Sequence, residues 1–190
     1  MKIIGITGGI GCGKSYVARK MALRGIPVYD TDSNARRLML QDQSIREGIS
    51  ALVPGAYASG ELDRRLIAGF LFASEENARK IDSIVHPAVF ADFRRWVQQQ
   101  DGDFCAVESA ILFECGLDSE TNAVVVVHAP MELRIDRCMK RDGTTRDKIT
   151  ERINQQMDQA EKCSKADFVI MNDDTSDIDS QIDSILENLK

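Results

Sequence analysis

The sequence predicts a three-layer α/β fold on a parallel five-stranded sheet, and three observations carry that reading. Short apolar runs rich in Val, Ile or Phe occur at Lys2–Thr7, Ile26–Tyr29, Phe104–Glu108, Ala123–His128 and Asp167–Met171, as strands covered on both faces require. Amphipathic helical patterns separate them, which is the alternation of a parallel sheet with helices on its faces. A glycine-rich turn joins the first run directly to the first helical pattern, Tyr16–Leu23.

The spacing of the strands is uneven. The second ends near Tyr29 and the third begins near Phe104. The stretch between reads as several helices broken at Pro54-Gly55, Ser59-Gly60 and His86-Pro87, which is too long for one crossover helix and predicts a helical sub-lobe over about 33–101. A second helical excursion, about 132–162, separates strands four and five and predicts a lid. The core of a single domain spanning 1–190 is then 1–32, 102–131 and 163–190. The last helix is expected from Ser176, with Ser176 as its N-cap, Asp179 in its first turn, and Ile178, Ile182, Ile185 and Leu189 on one face.

A chain of 190 residues buries a substantial core. Its net charge of -6 argues against a broad basic face for nucleic acid or an anionic membrane, so neither is expected as a partner. A phosphorylated small molecule remains open, because a few well-placed donors suffice for it. No apolar run approaches the ~20 residues that cross a bilayer, and the first run enters a glycine-rich turn rather than a cleavage site. Cys12, Cys105, Cys115, Cys138 and Cys163 are scattered without CxxC spacing and read as reduced thiols of a soluble cytoplasmic protein. Oligomeric state is not legible.

Gly8-Gly9-Ile10-Gly11-Cys12-Gly13-Lys14-Ser15 matches GxxxxGK[ST] without a mismatch, with a strand before it and a helix after it. Glycines let a backbone wrap an anion with its amides pointing inward. The positive end of the helix adds about 0.3–2 kcal/mol. Lys14 is placed to reach the β- and γ-phosphates of a nucleotide and the Ser15 hydroxyl to ligate Mg2+.

Asp30-Thr31-Asp32 follows the second strand, at the sheet end where ligands of open α/β sheets bind. A carboxylate there serves as general base for an attacking hydroxyl, typically worth ~10²–10⁴-fold; the alternative is that Asp30 or Asp32 caps the helix beginning near Ser33. Glu108 ends the third strand in a Walker-B-like place, either holding Mg2+ and orienting Lys14 or standing as a plain strand-end carboxylate. Arg134, Arg137 and Arg141 share a helical face. Either they close over a nucleotide and neutralise the transferred phosphoryl, or Asp136, Asp142 and Asp147 answer them as a solvated charged face. Arg152 and Gln156 share a face downstream, His128 reads as structural, and His86 is undecided.

Taken together, these segments resemble one family, the dephospho-CoA kinases. TGGIGCGKS is similar to the family's TGGIGSGKS, and VYDTDSNAR to its VIDADxxAR, with Asp32 in the place of the catalytic base. GELDRRLIAGFLF, with Asp63 and Arg64, IVHPAV, SAILFECGL, RINQQ and ADFVIMND match its later motifs in order, over nearly the whole chain. The resemblance implies a three-layer P-loop kinase fold with a helical substrate-binding sub-lobe and a helical lid. It implies phosphorylation of the ribose 3′-hydroxyl of dephospho-CoA by ATP with Mg2+. Gly11, Cys12, Gly13, Lys14, Ser15 and Tyr16 would hold the ATP phosphates, Arg137 and Arg141 would act from the lid, and Asn172 would lie near the adenine. Dephospho-CoA would bind the sub-lobe, with Asp32, Arg64 and His86 at its site.

The chain departs from the family pattern at Cys12 (usually Ser), Tyr16 (Thr), Glu108 (Asp), Ala110 (Pro) and Arg134 (Gln). Glu108 therefore reaches a metal with one more methylene, and the lid role of Arg134 is in doubt. Two competing readings are a kinase of another small acceptor, such as a nucleoside monophosphate, and a nucleotide-dependent switch. Asn172-Asp173-Asp174 lacks the Lys of a guanine-specific NKxD, and Glu108-Ser109-Ala110-Ile111 is not a DxxG.

Overall fold

In the computed structural model, which describes residues 1–190, the chain forms two compact units, Met1–Tyr29 with Gln100–Lys190, and Asp30–Gln99. The strands are β1 (Lys2–Thr7), β2 (Val28–Asp30), β3 (Phe104–Glu108), β4 (Ala123–His128) and β5 (Phe168–Met171), ordered β2-β3-β1-β4-β5. β1 lies at the centre, parallel to β3 with Ile4 opposite Ala106 and parallel to β4 with Ile4 opposite Ala123; β5 continues the parallel pairing from β4. Burial on both faces explains why β4 reads AVVVVH without alternation.

Two strand boundaries differ from those predicted. Ile26 and Pro27 stand before β2: the Ile26 amide is drawn back to the Met21 carbonyl at 3.2 Å, and Pro27 has no amide to give a ladder. Asp167 precedes β5, yet its side chain accepts from the Val124 amide at 2.7 Å and so extends the pairing by one rung.

α1 (Lys14–Ala22) and α9 (Ile178–Asn188) close over the sheet, and Val17, Met21, Ile182 and Ile185 pack on Ile4, Ile6, Val125, Val127 and Ile170. The cap of α9 is Asp177, which accepts from the amides of Asp179 and Ser180 at 3.0 and 3.3 Å. Ser176, the expected cap, instead donates its amide to Asp173 at 2.8 Å, because a carboxylate three residues earlier already organises the loop. The Ser176 and Thr175 amides hold the Asp173 carboxyl far below the ordinary carboxylate range.

The excursion after β4 comprises α6 (Met131–Asp142), α7 (Arg146–Asn154) and α8 (Gln159–Lys165). It carries a small core of its own, Ile135, Cys138 and Ile149, on which Ile10 and Ile153 pack.

The unit Asp30–Gln99 is helical: α2 (Thr31–Gln41), α3 (Gln43–Leu52), α4 (Arg64–Ala73) and α5 (Glu75–Val97). α5 packs against the other three, and Ile81, Val85, Val89 and Phe93 form its buried stripe. The predicted break at His86-Pro87 is absent, and α5 runs straight through Pro87. Proline removes one backbone bond and crowds the preceding turn, but the buried stripe continues on both sides of it, and the burial of four apolar side chains outweighs that local cost. Phe93→Ala is expected to lower the unfolding free energy by about 3–5 kcal/mol, since Phe93 is among the most completely buried side chains. Urea denaturation followed by far-UV circular dichroism measures it.

Candidate active site

The turn between β1 and α1 is the only place where a strand hands directly to a helix through several glycines. Gly13 caps α1 at φ 93°, a left-handed conformation, and a side chain there would place its Cβ 2.2 Å from Asn172 Nδ2. No side chain caps α1, and the amides of Gly11, Gly13, Lys14 and Ser15 find no acceptor within the protein. Converging N–H groups at the positive end of a helix make an anion site.

The rest of the turn is fully committed. The Gly9 amide donates to Gln159 Oε1 and the Ile10 amide to Gln156 Oε1, both at 2.8 Å. The Ile10 carbonyl accepts from Arg134 Nε at 2.9 Å, and the Cys12 carbonyl from Asn172 Nδ2 at 2.8 Å. Lys14 Nζ lies 3.4 Å from the Gly9 carbonyl. Ser15 Oγ donates to Glu108 Oε1 at 3.0 Å, so the hydroxyl and the carboxylate expected to serve a metal stand together. Burial pushes the Cys138 and Cys163 thiols up, which keeps them uncharged at neutral pH.

The arginine stripe splits three ways. Arg134 is buried and holds the turn, so it is not a lid finger. Arg141 has an exposed guanidinium that pairs with Asp142 at 2.7 Å, a carboxylate that Arg152 shares at 3.2 Å. Arg137 lies beside Gly13. It pairs with Asp174 and donates to Asn172 Oδ1 at 3.4 Å, while its Nη1 is buried with no partner. Arg137 lines a cavity of about 430 Å³ together with Gly13, Tyr16, Asn172, Asp174 and Ser176. Asp174 is the one non-glycine residue in the left-handed region, at φ 67°. The side chain of Asn172, the residue expected near the adenine, is bound to the turn and to Arg137, and it walls the same cavity.

In the helical unit, Asp30 caps α2, accepting from the Asp32 and Ser33 amides at 3.0 and 3.2 Å. This settles which of the two acids is structural and leaves the Asp32 carboxylate exposed in the first turn. Arg64 is the exposed first residue of α4, whose cap is Asp63. His86 sits mid-helix, 3.5 Å from Asp82 and stacked on Phe90 with ring centroids 6.4 Å apart.

Sequence reasoning missed three residues. Lys162 is wholly buried, donating to both Glu114 oxygens at 2.8 and 3.1 Å and to the Ala110 carbonyl at 2.7 Å. Glu114 also accepts from the Met157 amide at 3.1 Å, and Gln159 lies one turn before Lys162. In a segment reading QAEKCSK, nothing distinguishes a buried lysine from a solvated one.

A family model described as dephospho-CoA kinase matches residues 2–177. A dephospho-CoA kinase of Bacteroides fragilis is 41% identical over 181 residues, covering 94% of this chain and 88% of the relative. The crystal structure of TT1252 from Thermus thermophilus superposes with a TM-score of 0.89 at 32% identity, covering 100% of this chain and 98% of the other. A dephospho-CoA kinase structure from Campylobacter jejuni, 24% identical, covers 98% of this chain and 96% of its own with a TM-score of 0.70 and shows the same fold.

Lys162→Met removes the cation that faces both oxygens of the Glu114 carboxylate. The expected loss is about 3 kcal/mol, the lower end for a broken buried pair because Glu114 is a quarter exposed. Chemical denaturation measures it, and the double variant with Glu114→Gln should recover most of the loss.

Proposed function

Because the chain belongs to the dephospho-CoA kinase family, we propose that it transfers the γ-phosphate of ATP to the ribose 3′-hydroxyl of dephospho-CoA, giving CoA and ADP. This is the last step of coenzyme A formation, and we place it in the cytoplasm. The observation that carries the reading is the set of unclaimed amides on Gly11, Gly13, Lys14 and Ser15 at the start of α1.

Each part of the site has a role in that transfer. The amides of Gly11, Gly13, Lys14 and Ser15 bind the terminal phosphates of ATP, and Lys14 adds a mobile positive charge. Ser15 and Glu108 offer hard oxygen donors from neighbouring positions, which fits Mg2+, an ion that takes few protein ligands beside phosphate oxygens. When bound, Mg2+ supplies charge that offsets the phosphate oxygens. Asp32 accepts the proton of the ribose hydroxyl; its freedom from capping duty, which Asp30 performs, suits it to that role. Arg137, with its unpaired Nη1, stabilises charge on the phosphoryl group in passage. Segment 33–101 serves as the acceptor-binding sub-lobe, contributing Arg64 and His86, and 132–162 serves as the lid. Tyr16 and Asn172 flank the nucleotide beside Gly13.

An ADP-release assay with Mg-ATP should respond to dephospho-CoA and not to a panel of nucleoside monophosphates; a mononucleotide that alone stimulates release would replace the acceptor. Asp32→Asn should keep ATP affinity and lose at least ~10²-fold in turnover, and near-normal turnover removes it as base. Arg137→Ala is expected to depress kcat more than it raises the KM for ATP. The reverse pattern, read from steady-state kinetics, makes it a binding residue only.

A further inference from the structure

We propose that Gln156 and Gln159 are positioning residues that set the phosphate-binding turn by occupying its first two amides, and so tie phosphate affinity to the seating of the lid's last segment. The inference rests on the kinase reading of that turn.

The turn has more amides than an anion uses. Two of them, on Gly9 and Ile10, are taken by side-chain carbonyls that arrive from the junction of α7 and α8. Gln159 has no freedom in how it presents its amide, because its Nε2 donates to the Val127 carbonyl at 3.0 Å and this turns Oε1 towards Gly9. Gly9 must be glycine for that approach: a Cβ would stand 2.2 Å from Arg134 Nη2 and 2.9 Å from Gln159 Oε1. Ile10 is held on three sides, with its amide on Gln156, its carbonyl on Arg134 and its side chain against the core of Ile135, Cys138 and Ile149.

The glutamines are themselves anchored. Lys162 clamps Glu114, and Glu114 accepts the Met157 amide directly after Gln156. A shift of this segment therefore moves both carbonyls, and with them the direction of the amides from Gly11 onward. The chemistry of the acceptor also matters. A carboxylate at position 156 would also accept the Ile10 amide but would add negative charge beside a triphosphate, and one at position 159 would in addition lose the donor to the Val127 carbonyl; carboxamides avoid both.

The test compares Gln156→Leu and Gln159→Leu with the wild type for binding of ADP and of adenosine, by calorimetry or NMR shift titration. ADP affinity should fall about 10-fold or more in each, as expected when a buried donor loses its acceptor, while adenosine affinity stays unchanged. Amide exchange of Gly9 and Ile10 should accelerate in the matching variant. Gln156→Glu, which keeps an acceptor, should retain wild-type protection at Ile10 yet lose ADP affinity relative to the wild type, by a larger factor at low salt than at high salt. Equal losses for ADP and adenosine, or wild-type ADP affinity in folded Leu variants, overturn the inference alone. A wild type that binds no ADP overturns the kinase reading and this inference with it.

Discussion

A helix that starts on a left-handed glycine without a side-chain cap leaves its first amides with nothing in the chain to bond. This is the constraint from which the rest of the site follows. Most helices of this protein solve the problem with aspartate: Asp30, Asp42, Asp63, Asp158 and Asp177 each accept two amides at the start of a helix. α1 does not. Of the three helices without a side-chain cap, α1, α6 and α7, only α1 starts on a left-handed glycine next to Lys14 and Ser15, and that start reserves the helix's positive end for an anion from outside.

Keeping those amides open and aligned requires that the rest of the turn be closed. A flexible glycine-rich segment would otherwise collapse onto its own donors, and the energy of ordering it would then be drawn from ligand binding. The protein orders it in advance with polar side chains from distant segments, Arg134, Gln156, Gln159 and Asn172, each bonded to a specific backbone atom. Such an arrangement is stable only if every member is satisfied, and the buried Lys162 meets that condition with three oxygen acceptors.

The strands, the turn and the helical character of both excursions were legible in the sequence, because they are written in local patterns: apolar runs, a GxxxxGKS register and amphipathic helical periodicity. What was not legible depended on contacts far apart in the chain. Asp30 and Asp32 are equivalent as letters, and only the closing of α2 on Asp30 separates them. Pro87 signals a helix end by local rules, and the stripe from Ile81 to Phe93 overrides it. Lys162 lies in a run of charged and small residues with no feature that marks it as buried, since its partner Glu114 is 48 residues away.

The arginine stripe shows why helical spacing alone cannot assign roles. Positions 134, 137 and 141 share a face, yet one guanidinium reaches a backbone carbonyl, one a cavity wall and one a surface carboxylate. Only Arg137 keeps a buried donor without an acceptor, on a side chain otherwise fixed by Asp174 and Asn172. Desolvating a guanidinium nitrogen without pairing it is unfavourable. A fold retains such a group where a charge that develops elsewhere, at another moment, completes the bond, and that asymmetry is what separates a residue acting on the transition state from one that merely binds.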